Sequence, residues 1–110
     1  MPVAVAQKVS ALAEDFGSLR RVADALGVDP SQVTRWAQGG GIDAKNAARL
    51  DLLELAVSAL ARLYEPTTVG DWLFGLNPML ADRRPIDAIR SGDLTSVLRA
   101  IQQEEGESFA

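Results

Sequence analysis

The sequence predicts an all-α protein: an N-terminal helical module, a long central helix and a second small helical module. Three observations predict it. The apolar fraction is 47% with only 5% aromatic, and it is dominated by Ala, Leu and Val; Ala and Leu lose little freedom on entering a helix. Apolar residues recur at three- and four-residue spacing along most of the chain. Gly and Pro stand between those runs as punctuation. At 110 residues such a chain buries roughly two-thirds of its unfolded surface, enough for one modest core.

Val5, Val9, Leu12, Ala13 and Phe16 share one helical face, which predicts a first helix over about residues 4–15. Gly17 ends it. Ser18 is placed to cap a second helix with the apolar face Leu19, Val22, Ala23 and Leu26. Gly27 supplies a left-handed turn residue, and Asp29-Pro30 opens a third helix with an acidic N-cap, a proline at the first position and Gln32 completing a capping box. Gly39, Gly40 and Gly41 stop it.

Ile42-Asp43 begins the longest helix, expected to run to about Tyr64 and to end before Pro66. Asp51, Glu54, Ser58, Arg62 and Glu65 form a narrow polar stripe. Leu50, Leu53, Val57, Leu60 and Tyr64 form one apolar stripe, and Leu52, Leu55, Ala59 and Leu63 another. A helix apolar over so much of its circumference is covered on two sides. The second cover is either more of the same core or another subunit, and periodicity fits both. Beyond Pro66, Thr68 with Asp71 is expected to cap a helix through Phe74. Asn77-Pro78 opens a short turn, Pro85 starts a helix ending near Ser91, and Gly92-Asp93 precedes a last helix with the face Leu94, Val97, Leu98 and Ile101.

Composition removes much chemistry. The chain has no His and no Cys, which excludes disulfides, thiolate or imidazole zinc sites, Cys nucleophiles and Ser-His-Asp triads. No Gly-rich phosphate loop or paired-carboxylate motif organises the 15 Asp and Glu. Neither an enzyme nor a metal site nor a cofactor is therefore expected, and no small-molecule substrate. No run approaches the roughly 18 apolar residues of a membrane span, and the first residues lack the basic region of a secretory signal. The expectation is a soluble, cytoplasmic protein that binds no membrane.

The net charge is −4, unevenly spread. Residues 18–49 carry five cations against three carboxylates, whereas residues 100–110 carry three Glu and no base. With Leu19 as position one of a helix-turn-helix unit, Ala23, Gly27, Val33 and Trp36 fall where the unit needs a small residue, a turn residue and two core anchors. Ser31, Gln32, Thr34, Arg35 and Gln38 then face outward, able to reach base edges, with Arg20 and Arg21 available to phosphates. An ordinary helical hairpin with a solvated face has the same pattern. With one cation on the recognition helix, DNA binding would need a dimer reading two half-sites.

The second half carries a family resemblance. Trp72-Leu73 leads to Asn77-Pro78-Met79-Leu80, then Arg84-Pro85-Ile86-Asp87, Arg90-Ser91-Gly92-Asp93, and Val97, Leu98 and Ile101. This pattern, over about residues 70–101, resembles the toxin-binding domain of the Xre/MbcA/ParS-like antitoxins. The resemblance implies residues 1–41 as an Xre-like helix-turn-helix module, 42–66 as a shared or dimerisation helix, and 67–110 as a toxin-binding module. It further implies a homodimer, an operon repressed through operator DNA, and a partner toxin of the RES class, which consumes NAD. In that family the antitoxin's C-terminal part plugs the toxin's NAD-binding cleft. The chain departs from many relatives by carrying Ala81-Asp82-Arg83-Arg84 where Gly residues are common, which puts Arg83 and Arg84 on what would be toxin-facing surface.

Most motif residues have structural uses of their own: Trp72, Leu73, Leu80, Val97, Leu98 and Ile101 suit a core, and Arg84, Asp87 and Arg90 suit an internal ion-pair cluster. The C-terminus, Glu104-Glu105-Gly106-Glu107-Ser108-Phe109-Ala110, is expected to extend from the last helix as an acidic tail hinged at Gly106. Such a tail is either a disordered terminus or, given the resemblance, a strand whose carboxylates enter the toxin's cleft while Phe109 anchors it. A DNA-binding repressor without a toxin partner is the alternative reading of the whole chain.

Overall fold

Side-chain caps start several of the helices of the computed structural model, which describes residues 4–108. Helix α1 (Val5–Phe16) ends at Gly17, whose φ of 98° is left-handed. The Ser18 hydroxyl accepts the Arg21 backbone N–H at 3.2 Å to start α2 (Leu19–Leu26). The Asp29 carboxylate accepts from the Ser31 N–H at 2.8 Å to start α3 (Pro30–Ala37), and Asp43 accepts from the Asn46 N–H at 3.1 Å to start α4 (Ala44–Ala61). Each satisfies a donor that the first helical turn leaves open. After α5 (Pro66–Phe74) come a 3-10 turn (Pro78–Leu80) capped by Asn77, then α6 (Pro85–Arg90) and α7 (Leu94–Ser108). Among the described residues there is no strand, only an antiparallel bridge between Asn77 and Arg83. The all-α expectation holds.

Three boundaries differ from expectation. Helix α4 stops at Ala61, because the N–H groups of Leu63 and Tyr64 both turn onto the Leu60 carbonyl, at 2.9 Å each. Helix α5 starts at Pro66, two residues before Thr68; proline holds Glu65 extended and its own φ is already helical. The third difference matters most for function. Helix α7 does not end before Glu104 but continues through Gly106 to Ser108. The expected flexible acidic tail is, as far as Glu107, a helix.

The apolar interior is one cluster that crosses every expected module boundary. Val9, Leu12, Phe16, Val22, Ala23, Leu26, Val33 and Trp36 fill its N-terminal end, and Leu50, Leu53, Ala56 and Leu60 of α4 run through the middle. Leu73, Ile86, Ile89, Val97 and Ile101 close it. Helix α1 packs on α5 as well as on α2 and α3, while α6 touches α2, α4, α5 and α7. The first of these crossings is close at Gly70, where a Cβ would be in ordinary van der Waals contact with the Asp15 carbonyl oxygen at 3.7 Å.

Candidate functional site

Two surfaces carry the residues singled out by sequence. On the first, α2 and α3 meet across a turn whose pivot is Gly27, at φ +69°. Ala23, Val33 and Trp36 are buried, so α3 turns Ser31, Thr34, Arg35 and Gln38 to solvent, with Gln32 half-covered. The Thr34 hydroxyl already donates to the Pro30 carbonyl at 3.1 Å. Arg20 is exposed. Arg21 is not: its guanidinium lies 4.1 Å from the centroid of the Phe74 ring and donates to the Phe16 carbonyl at 3.3 Å. Phe74 in turn meets Phe16 edge-on at 5.4 Å. Arg21 therefore ties α1 and α2 to α5 by a cation–π contact; a spacing rule that counts cations has no way to see the aromatic partner 53 positions away.

The same unit is joined to the second half through charge. The Arg84 guanidinium forks onto the Asp87 carboxylate at 2.9 and 3.1 Å and reaches Asp24 of α2 at 3.2 Å. Arg90 bonds Asp87 from the other side and lays its side chain over Gly27, where a Cβ would sit 2.6 Å from Arg90 Cδ. The hydrogen bonds from Arg84, assisted by those from Arg90, hold the Asp87 carboxyl below the usual carboxylate range. The internal ion-pair cluster expected of Arg84, Asp87 and Arg90 is present, with Asp24 as a member that sequence did not suggest. Arg84 is thus spent on an internal junction, whereas Arg83, held by the Leu80 carbonyl at 3.0 Å and Asp93 at 3.4 Å, keeps nearly half of its side chain exposed.

The second surface is the outer end of α7. Ile101 is the last buried residue of that helix among those described. One turn on, Glu104 accepts from the Tyr64 hydroxyl at 2.8 Å and from the Trp72 indole N–H at 3.3 Å. Glu105 pairs with Arg62 at 2.9 Å, and Glu107 accepts from Gln103 at 3.3 Å. The bond to Glu104 pushes the Tyr64 hydroxyl above its ordinary pKa. Trp72, expected in the core, is half-buried with its polar edge used. Tyr64 and Arg62 are partners that the sequence does not single out for this site. Their one signal there is an amphipathic side chain at the end of a helical stripe. An open groove of about 520 Å³ between the 3-10 turn and α7 is lined by Met79, Arg99, Gln102, Gln103, Gly106 and Glu107. Met79 of this groove is 58% exposed, and Leu76, three residues earlier in the chain, is 74% exposed. The side chain of Ser108, and Phe109 and Ala110 entirely, lie outside the described residues.

The loop after the 3-10 turn is unusual. Ala81 and Asp82 both take left-handed conformations, at φ 57° and 58°. Among the described residues no group of three or more acidic side chains is placed to hold a metal ion, and no helix is long and apolar enough to cross a membrane.

No family model matches the sequence. Individual relatives do. The chain is 31% identical over 99 residues, covering 88% of both sequences, to the mycobacterial cidal antitoxin MbcA of Mycobacterium bovis (strain ATCC BAA-935 / AF2122/97) and equally to that of Mycobacterium tuberculosis H37Rv. Its fold matches a chain of the crystal structure of the M. tuberculosis MbcT–MbcA toxin–antitoxin complex, with a TM-score of 0.75, 30% identity, and coverage of 92% of this chain and 93% of that one. The class is thus that of small all-helical antitoxins of toxin–antitoxin systems. Within it, the chain belongs to the MbcA antitoxin family.

Proposed function

We propose that this protein neutralises a RES-type, NAD-consuming toxin by laying the end of α7 and the residues beyond it across the toxin's active site. The observation that carries the reading is the likeness, over nearly the whole chain, to a chain solved within a toxin–antitoxin complex. The geometry of α7 supports a mechanism. A cleft that binds a diphosphate offers positive groups, and a carboxylate delivered there makes charge-assisted hydrogen bonds, stronger than neutral ones. Glu107 stands exposed at the tip of α7, and Ser108, Phe109 and Ala110 continue from it. Met79, which shares a groove with Gly106 and Glu107, sets an exposed apolar anchor beside that tip. Arg83, paired with Asp93 just before α7, and Leu76 add an exposed cation and a second apolar side chain to the folded part of the interface. Action is by binding, without a cofactor or a substrate of its own, in the cytoplasm.

The chain works as a homodimer and represses its own operon as a helix-turn-helix protein. Arg35, with Ser31, Gln32, Thr34 and Gln38, faces the major groove, and Arg20 supplies phosphate contact. Arg21 contributes by holding α2 in place, since its guanidinium is engaged with Phe74. Family membership favours this reading over a repressor with no toxin.

The decisive experiment is co-expression with a RES-type toxin, affinity capture, and NAD consumption by the purified complex. The complex should co-purify and be silent; a chain ending at Gly106 should still co-purify but leave the toxin turning over NAD. Full inhibition by the shortened chain would place the block on the folded surface instead. In the same preparation, Arg35→Ala should weaken promoter binding by about 1–3 kcal/mol in gel-shift titrations at fixed salt and leave neutralisation intact.

A further inference from the structure

Helix α7 outruns the core that supports it. Ile101 is its last buried residue among those described, and the turns beyond contain Gly106, a poor helix former. Helix ends without packing fray. Three side chains supply what the core does not. Tyr64 Oη, from the α4–α5 connection, lies 2.8 Å from Glu104 Oε2, and Trp72 Nε1, from α5, lies 3.3 Å from Glu104 Oε1. Each carboxylate oxygen thus has a donor from a separate stretch of backbone, which fixes the side chain in orientation as well as place. Arg62 holds the next residue, Glu105, at 2.9 Å. Ile101, Glu104 and Glu105 are spaced three and four apart and so share one face; this face continues inward contact after apolar packing has ended.

We infer that Glu104 is a positioning residue: it does not enter the toxin's cleft, but locks α7 to Tyr64 and Trp72 and so aims the C-terminus at that cleft. The inference rests on the reading that the C-terminus obstructs the toxin. It reassigns Glu104 from the acidic plug to the mount that carries it. The plug is then Glu107 together with Ser108, Phe109 and Ala110. A carboxylate already bonded through both oxygens would have to break those bonds to serve as a contact, leaving a half-buried indole and hydroxyl unsatisfied.

The test separates position from contact by removing the donors and leaving the carboxylate. The double variant Tyr64→Phe/Trp72→Phe keeps an aromatic ring at both positions and the full charge of Glu104. In the purified, saturated toxin complex it should raise residual NAD turnover about tenfold or more, the scale of losing hydrogen bonds to a charged group. The affinity of the complex should change much less. Glu104→Gln, which keeps an oxygen acceptor but not the charge, should retain most of the inhibition; Glu104→Ala should behave like the double variant. The Trp72 indole N–H resonance should move in Glu104→Ala while that of Trp36 stays, reporting the lost bond even if stability also falls. If the double variant inhibits as fully as the parent while Glu104→Gln releases the toxin, Glu104 is a contact and the inference is wrong. If the chain ending at Gly106 inhibits fully, the obstructing-terminus reading itself fails, which is a different outcome from a truncation that releases and a double variant that does not.

Discussion

At the level of single residues, the chain tolerates two backbone positions that side chains ordinarily avoid. Ala81 and Asp82 come after the 3-10 turn at φ 57° and 58°. Asp visits this region several times more readily than most residues, Ala does not. The Asn77–Arg83 bridge, the Asn77 cap and the Arg83 bond to Leu80 hold the loop closed around them. Ala81→Gly removes the Cβ strain, roughly 1–2 kcal/mol, but gives the unfolded chain extra freedom, roughly 0.4–1 kcal/mol. The expected result is a net gain of up to about 1.5 kcal/mol, seen as a Tm several degrees higher in thermal unfolding. An unchanged or lower Tm would mean that the loop carries no such strain. Arg21 and Glu104 show a different constraint. Each is a charged residue that looks available in the sequence and is engaged with an aromatic side chain in the fold.

At the level of elements, α6 is the junction between the two halves. Only six residues long, it cannot rely on its own hydrogen bonds and depends on contacts at both faces. Pro85, Ile86, Ala88 and Ile89 are buried, and Arg84, Asp87 and Arg90 link its outer face to Asp24 and the Gly27 turn of the proposed DNA-reading unit. Arg84 holds Asp87 as the anion, so the carboxyl's pKa is depressed in the folded state. Its contribution is then present above the unfolded value, near 4, and is lost as pH falls through the lower folded value. The protein should therefore hold its Tm from neutral pH to about 5 and lose it below about 4. Asp29, Asp43 and Asp93 add to that loss in the same direction, because each is held anionic by the helix start it caps. Asp87→Asn should lower stability at pH 7, and the gap between it and the parent should close below about pH 4. A gap that persists unchanged into acid would assign the loss to packing rather than to the ion pair.

For the molecule as a whole, the apolar surface left uncovered on α4 is where we place the contact of the proposed dimer. Of the two apolar stripes, the one through Leu50, Leu53 and Leu60 is buried, whereas Leu55 in the other is 56% exposed with Leu52, Ala59 and Leu63 half-covered beside it. A second copy covers this stripe in the dimer proposed here, by a two-fold contact in which the same patch meets itself. Leu55→Glu should then give monomers by light scattering at micromolar concentration and keep the helical circular dichroism of the parent. A monomeric parent, or a dimeric variant, would move the interface elsewhere. Operator binding should fall with the dimer, since one copy offers few phosphate contacts.

Local structure is legible from chain order alone. Helix starts at Ser18, Asp29 and Asp43, stops at Gly17 and Gly27, and the proline-opened α3 and α6 all depend on groups within four residues of one another. The antitoxin resemblance is legible for the same reason, because its motif is a series of turns and core positions in order. Helix length and the use of charge belong instead to the packed fold. Glu104 meets Tyr64 and Trp72 across 40 and 32 positions, Arg84 meets Asp24 across 60, and Glu105 meets Arg62 across 43. A long charged side chain takes whichever partner the packed helices bring within about 3 Å, and periodicity contains no distance between faces. Hence a segment that reads as a hinged acidic tail is, as far as Ser108, the last turns of a helix: Gly106 weakens that helix locally, and contacts made elsewhere in the fold outweigh it.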